Sequence, residues 1–395
     1  MTKRASLAAA LLLLGCGGRD SGIELYAPEG DAARGVVATE FIQPLLEPDN
    51  FVLRPDEFAT VATDHERGLI YVGNRQGTLF ALDGERGGVV WEERGYGAIS
   101  SKPVITANSE VLLFGTDDGA LLALDLETRK PRWTYETPGT IRNEPLIVGQ
   151  ILYFANSRDQ VYALDLGTGE WRWQYPTDES LFQTDFTVHG RAGLSYLSTV
   201  DDGVTTDGVV FTGFDDGRVV ALGANSGAPI WTVSVAPPER GDFIDADGTP
   251  LVDADAGEVV VSGHSTGVYG LSIDDGAERW FRPVRGAGTV VAGPGGVLVF
   301  CSSLEGIYGI ERGGRVRWHK QVDPGVLSAP LVARDTLFVT HSESGLLAFD
   351  VRTGEFLARL GTGSGISSPA TFDPMNDRLY AVSNRGDLLV FRVTG

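Results

Sequence analysis

Cysteine is almost missing from this chain: its 395 residues hold two, Cys16 and Cys301. That excludes a disulfide framework and thiolate-rich zinc sites. Histidine is nearly as scarce. The five residues at 65, 189, 264, 319 and 341 are scattered without metal-ligand spacing. No phosphate loop or histidine metal motif occurs, so those routes to catalysis are closed. Basic residues are outnumbered, 32 Lys and Arg against 53 Asp and Glu, for a net charge of −21. A chain so acidic, with no basic patch, is unsuited to nucleic acid and to direct adhesion on anionic headgroups. Amphipathic helical stretches are absent too, and the one apolar run, Leu7–Leu14, is too short to span a bilayer as a lasting helix.

What the chain has is repetition. A five-residue pattern recurs eight times: LFALD (79–83), LLALD (121–125), VYALD (161–165), VVALG (219–223), VYGLS (268–272), IYGIE (307–311), LLAFD (346–350) and LLVFR (388–392). Successive copies start about 40 residues apart, stretched to 58 and 49 around the fourth. Before each lies an apolar stretch and a polar turn, as in LIYVGNRQG (69–77) or VLLFGTDDG (111–119), which reads as strand, tight turn, strand. Self-similarity at this period, with four short strands per unit, predicts an all-β, eight-bladed β-propeller over residues 36–395. Trp91, Trp133, Trp173, Trp231, Trp280 and Trp318 recur at one position of the unit, where an indole supplies large apolar area between neighbouring blades. The acidic turns Asp117-Asp118 and Asp215-Asp216 read as solvated turn carboxylates. His264 and His341 occupy equivalent turns of two units and read as repeat grammar.

The final unit stops at Phe391–Gly395, before a Trp-bearing outer strand, and an open sheet edge is a hazard. The apolar segment Val36–Leu46 is the expected N-terminal strand that completes this blade and locks the ring. Upstream, Lys3 and Arg4 precede Leu7–Leu14 and then Leu13-Leu14-Gly15-Cys16, which describes a secretory signal over residues 1–15. Residues 16–35, rich in Gly and charge, read as a flexible tether. Cys301 stands in an apolar strand, VLVFC (297–301), and reads as a buried inert thiol.

The unit ALDLGTGEWRW (163–173) resembles the A-x-D-x-x-T-G-x-x-x-W repeat of quinoprotein-like (PQQ-type) propellers, a likeness that covers about 340 residues. The Leu-x-Gly-Cys ending resembles a bacterial lipobox. That implies acylation of Cys16, with the several chains needed for stable anchoring. Gly17 in place of Asp implies sorting to the outer membrane, at its periplasmic face. The repeat period breaks in two adjacent units: 36 residues separate Trp173 from Val209, and 27 separate Trp231 from Glu258. Both additions are expected on one face of the ring, where binding usually happens.

Those additions carry a second likeness. Asp245-Ala-Asp247-Gly-Thr-Pro250, preceded by Glu239, and Phe186-Thr-Val188-His189-Gly190 resemble two loop stretches of the BamB family of lipoproteins in the outer-membrane β-barrel assembly machinery. The resemblance implies a non-enzymatic scaffold whose two loops grip a periplasmic POTRA domain of the barrel subunit BamA. Phe186, Val188 and His189 would be the apolar and polar prongs, and Asp245 and Asp247 the acidic ones. His189 stands where the family has Arg. The expectation is a monomer within a hetero-complex, without cofactor or metal. Two alternatives remain at this point: a quinoprotein-like lipoprotein with another periplasmic partner, and a PQQ-dependent dehydrogenase using quinone and calcium. The longer dehydrogenases of the resembled repeat carry a vicinal disulfide that this chain cannot form.

Overall fold

Each copy of the five-residue pattern is the third strand of a four-stranded antiparallel sheet. In Thr78–Asp83 every residue but the last is buried, as a strand covered on both faces requires. The computed structural model describes residues 24–26, 35–46, 57–177, 192–201, 204–205, 207–235 and 245–394. Eight sheets follow in chain order: blade 1 (61–94), blade 2 (104–136), blade 3 (146–175), blade 4 (195–234), blade 5 (251–282), blade 6 (287–320), blade 7 (331–361) and blade 8 (371–393). In blade 1 the order from the inside is Val61–Asp64, Leu69–Gly73, Thr78–Asp83 and Val89–Arg94.

Blade 8 draws only three strands from its own segment. Its outer strand is Val37–Pro44, antiparallel to Asp387–Val393 from Val37 opposite Val393 to Pro44 opposite Asp387. The expected N-terminal closure is therefore present. It copies an ordinary outer strand in detail. Phe41 faces Val390 as Trp91 faces Ala81, and both strands carry their register shift at the same place. Glu40 fixes the seam, accepting from Arg378 Nε at 2.6 Å and from Arg392 Nε at 2.7 Å.

The hydrophobic core is not central but divided among the blade junctions. Eight buried clusters correspond to eight junctions. The seam is one of them, where Val61, Ile70, Val72 and Leu82 of blade 1 pack on Tyr380, Val382, Leu388 and Val390 of blade 8. Each such side chain contributes about 1.5–3 kcal/mol by leaving water. The Trp of one blade reaches into the next: Trp133 Nε1 donates to Leu166 O at 3.1 Å, Trp173 to Ala224 O at 2.8 Å, Trp231 to Ile273 O at 2.8 Å and Trp318 to Val351 O at 3.1 Å. Trp280 instead donates to Glu258 Oε2 within its own blade, at 3.2 Å. Blade 7 has Ala358 at this position, opposite Ala348.

The D-x-x-T-G piece of the repeat has a local cause. Asp165 Oδ1 accepts from the backbone N–H groups of Gly167 and Thr168, both at 3.1 Å, and from the Thr168 hydroxyl at 3.2 Å, closing the turn from within. Gly169 follows at φ 72°, and a Cβ there would stand 2.6 Å from the Trp133 ring. Glycine is needed twice over, for the backbone angle and for the neighbouring indole.

Because each blade is a meander, the turns between second and third strands share one face of the ring with the connections between blades. We call this the upper face. The described ends of the connections 176–194 and 235–250 both lie on it. Residues 198–208 do not. They join the inner and second strands of blade 4 on the lower face, where Val200–Asp201 pairs with Val204–Thr205. The expectation that the added residues all gather on one face is thus corrected. A span from Trp173 to Val209 crosses two connections, and the three-residue inner strand Ser195–Leu197 between them gives little periodic signal. A second difference concerns the stretch expected as tether. Glu24–Tyr26 forms a fifth strand on blade 7, antiparallel to Phe356–Gly361.

Candidate partner-docking face

Five carboxylates gather on the upper face where blades 3, 4 and 5 meet. Asp159 lies in the turn of blade 3, Asp215 and Asp216 in that of blade 4, and Asp245 and Asp247 lead into blade 5. The Asp215 backbone N–H donates to Asp159 Oδ2 at 3.3 Å, while Asp215 Oδ2 is buried with no partner among the described residues. Burial first, and then the charges of Asp159, Asp247, Asp245 and Asp216, push the Asp215 carboxyl up to about 8. Burial, reinforced by Asp216, raises Asp159 to about 6. Asp216 is the better-compensated member, accepting from Arg218 Nε at 2.5 Å, and the Arg218 guanidinium lies 5.4 Å from the Phe214 ring. Near neutral pH the cluster therefore holds part of its charge as protons and has capacity for an external cation.

The flanks of the two long connections are tied to one another. Gly193 N–H donates to Thr249 Oγ1 at 3.1 Å, and the Ser195 hydroxyl donates to Pro250 O. Asn143 Nδ2 holds Ala192 O at 2.8 Å from the preceding connection, and Ala246 N–H donates to Phe214 O at 2.9 Å. Gly213 and Gly193 permit this closeness, since a Cβ would stand 1.8 Å from Ala246 O at the first and 2.4 Å from Thr249 Oγ1 at the second. The loops thus spring from one fixed base beside the acidic cluster.

The sequence-predicted residues fare differently. Phe186, Val188, His189 and Cys16 lie outside the described residues. Asp245 and Asp247 are both present at the cluster, partly buried. Asp245 has a second occupation: Oδ2 accepts from His264 N–H and Oδ1 from Ser265 N–H, each at 2.8 Å, and its carbonyl accepts from the Thr266 hydroxyl at 2.7 Å. It caps the blade 5 turn and is not a purely outward prong. Asp247 lines a cavity of about 860 Å³ that opens on the same face over blades 5–8, with His264, Glu343, Arg385 and several Gly and Ser residues. Asp159 and the burial of Asp215 escaped the sequence, which gave Asp215 as a solvated turn residue. Their coupling arises across blades, and no local pattern carries it.

The other sequence-derived residues have structural roles. Cys301 is buried in the second strand of blade 6, and burial pushes its thiol far up. The Asp117 carboxylate is engaged by Arg142 through two bonds at 3.0 and 2.9 Å. Among the described residues no group of His, Cys, Asp and Glu is placed to hold a metal ion, and no helix is long and apolar enough to cross a membrane.

Comparison with known proteins agrees with this architecture. The family model described as outer membrane protein assembly factor BamB matches residues 56–187, 110–313 and 268–395. The outer membrane protein assembly factor BamB of Shewanella oneidensis is 25% identical over 332 residues, covering 82% of this chain and 69% of that protein. The crystal structure of BamB from Moraxella catarrhalis superposes with a TM-score of 0.72 at 21% identity, over 90% of this chain and all of that one. A shorter match, 31% identical over 159 residues, covers 38% of this chain and 24% of the putative dehydrogenase XoxF of Paracoccus denitrificans.

Proposed function

Because the chain belongs to the family of the outer membrane protein assembly factor BamB, we propose that it is a non-enzymatic, lipid-anchored scaffold at the periplasmic face of the outer membrane. It binds a POTRA domain of a BamA-like barrel subunit and so supports folding and insertion of β-barrel proteins. The observation that carries this reading is the upper-face junction of blades 3–5, where two long connections spring from one base beside five carboxylates. A rigid ring displaying such a patch suits a partner with a basic, partly apolar surface. Phe186, Val188 and His189 supply the apolar and polar contacts of the first loop, and Asp247 the acidic contact of the second. Asp245 contributes charge while holding its turn.

The test is titration of the full chain with the purified POTRA domains of its own organism's barrel subunit. Asp247→Arg replaces attraction by repulsion and should weaken binding by about a hundredfold or more, since losing a close charge pair costs a few kcal/mol. Phe186→Ala should weaken it with less dependence on salt. Unchanged affinity in a folded Asp247→Arg protein would move the reading to a different periplasmic partner. The match to a putative dehydrogenase favours one rival, a quinone-dependent enzyme. Its cavity lining sets Arg385 against Asp247 and Glu343, an indifferent host for a polyanionic quinone. An absorbance change on adding quinone and calcium to the purified protein would support that rival.

A further inference from the structure

Among the described residues only blade 7 carries a fifth strand, and that strand lies close in sequence to the residue expected to bear lipid. Glu24 pairs with Gly361, Leu25 with Leu360 and Tyr26 with Arg359. If residues 16–35 were a free tether, about twenty residues could reach some 70 Å, and the ring could take any attitude at the membrane. With Glu24 paired to blade 7, only about eight residues separate it from Cys16, a reach of no more than about 28 Å. The pairing is antiparallel to Phe356–Gly361, so the chain arrives from the upper face at the rim of blade 7. In a ring of eight, blade 7 stands opposite blade 3, and the two long connections flank blade 4.

We infer that strand Glu24–Tyr26 docks the lipid tether on blade 7, holding that rim nearest the bilayer and presenting the loop junction of blades 3–5 on the far side of the ring. The inference rests on the lipid-anchor reading. The upper face does not lie flat on the lipid, because the acidic cluster there is repelled by an anionic headgroup surface. Four strands at about 4.8 Å give each blade a radial depth near 15 Å, so blades 3 and 7 alone separate the two rims by about 30 Å, before the central channel is added. A short leash on one rim thus places the docking patch deep in the periplasm, where a soluble partner domain can reach it.

The experiment uses the acylated full-length protein reconstituted in vesicles of phosphatidylethanolamine and phosphatidylglycerol. One fluorophore is placed at equivalent exposed turn positions of the two opposed blades, Glu355→Cys on blade 7 or Glu170→Cys on blade 3. Buried Cys301 stays unlabelled. With acceptor on the lipid headgroups, the offset of roughly 30 Å should give the blade 7 probe about twofold or more higher transfer. Replacing Glu24 and Leu25 together by proline removes a ladder donor whichever residue supplies it, and the two probes should then converge. A twelve-residue Gly/Ser insertion between Cys16 and Glu24 should do the same without touching the strand. Equal transfer from both probes in the parent protein, stronger transfer from blade 3, or a difference that survives the prolines would overturn the inference. Flotation with the vesicles, against Cys16→Ser, reports separately on anchoring. A parent protein that does not float refutes the anchor and this inference with it, whereas floating protein with equal probes refutes the docking alone.

Discussion

Replacing Asp215 by Asn should stabilise the protein, and by an amount that depends on pH. In the folded chain burial and four neighbouring carboxylates push the Asp215 carboxyl from 3.8 up to about 8. In the unfolded chain it ionises near the ordinary value. Between those two pH values the folded state holds a proton that the unfolded state has lost, so stability falls as pH rises through the interval. The penalty is absent below about pH 4 and complete above about pH 8. A fully buried group would lose about 1.4 kcal/mol for each pH unit of that interval, but Asp215 is partly exposed and water screens its neighbours, so about 2 kcal/mol is expected at pH 8.5. Asn keeps the shape and removes the charge. Urea unfolding of both proteins at pH 4.5 and pH 8.5 reads the effect directly. Near-identical midpoints are expected at the lower pH and a higher midpoint for Asp215→Asn at the upper. An equal shift at both values, or a less stable variant at pH 8.5, would refute the electrostatic account. The same logic predicts that a cationic partner ionises Asp215, so affinity for the proposed POTRA partner should strengthen between pH 6 and 8.5.

Other outcomes follow from the blade junctions. Phe41→Ala removes the wedge of blade 8 and should cost about 2 kcal/mol for a partly buried ring, read as a lowered melting temperature; removal of 36–46 should cost far more. If Phe41→Ala melts with the parent, the closing strand does not pack as an ordinary outer strand. Gly169→Ala sets a methyl against Trp133 at a positive φ and should destabilise by more than 2 kcal/mol, whereas Gly149→Ala, at φ 58° with nothing within 4 Å, should cost about 1 kcal/mol. Equal losses at the two glycines would mean that the indole contact contributes nothing.

The ring was legible in the sequence because each blade repeats the same local problem. The third strand must be apolar on both faces, in several blades an Asp165-type turn closes on itself, and in every blade but the seventh an outer aromatic packs toward the next blade. Closure was legible from a missing strand at one end and a spare apolar segment at the other. What was hidden depends on contacts between distant residues. Phe41 looks like any aromatic in a short apolar run, and only pairing with Val390 makes it the counterpart of Trp91. Three residues of Glu24–Tyr26 are too few for a periodic signal. Asp245 matches an outward acidic motif, and nothing local reveals that its carboxylate is already shared by two backbone donors from the following turn. Asp159 and Asp215 sit in ordinary turns 56 residues apart, and their coupling exists only once blades 3 and 4 are side by side.

The pairing of Val37–Pro44 with Asp387–Val393 also sets an order of events. A chain emerging N-terminus first presents its closing strand long before the strand that receives it is made. Every earlier blade can collapse on its predecessor as it appears, but the seam must wait, with about 340 residues looped between its halves. Closing so long a loop is entropically slow. A chain broken off early, or stalled in transit, keeps an unsealed sheet edge and an apolar strand in the open, the marks by which proteases and chaperones recognise unfinished work. The circle is in this sense a proof of completeness, checked once and at the end.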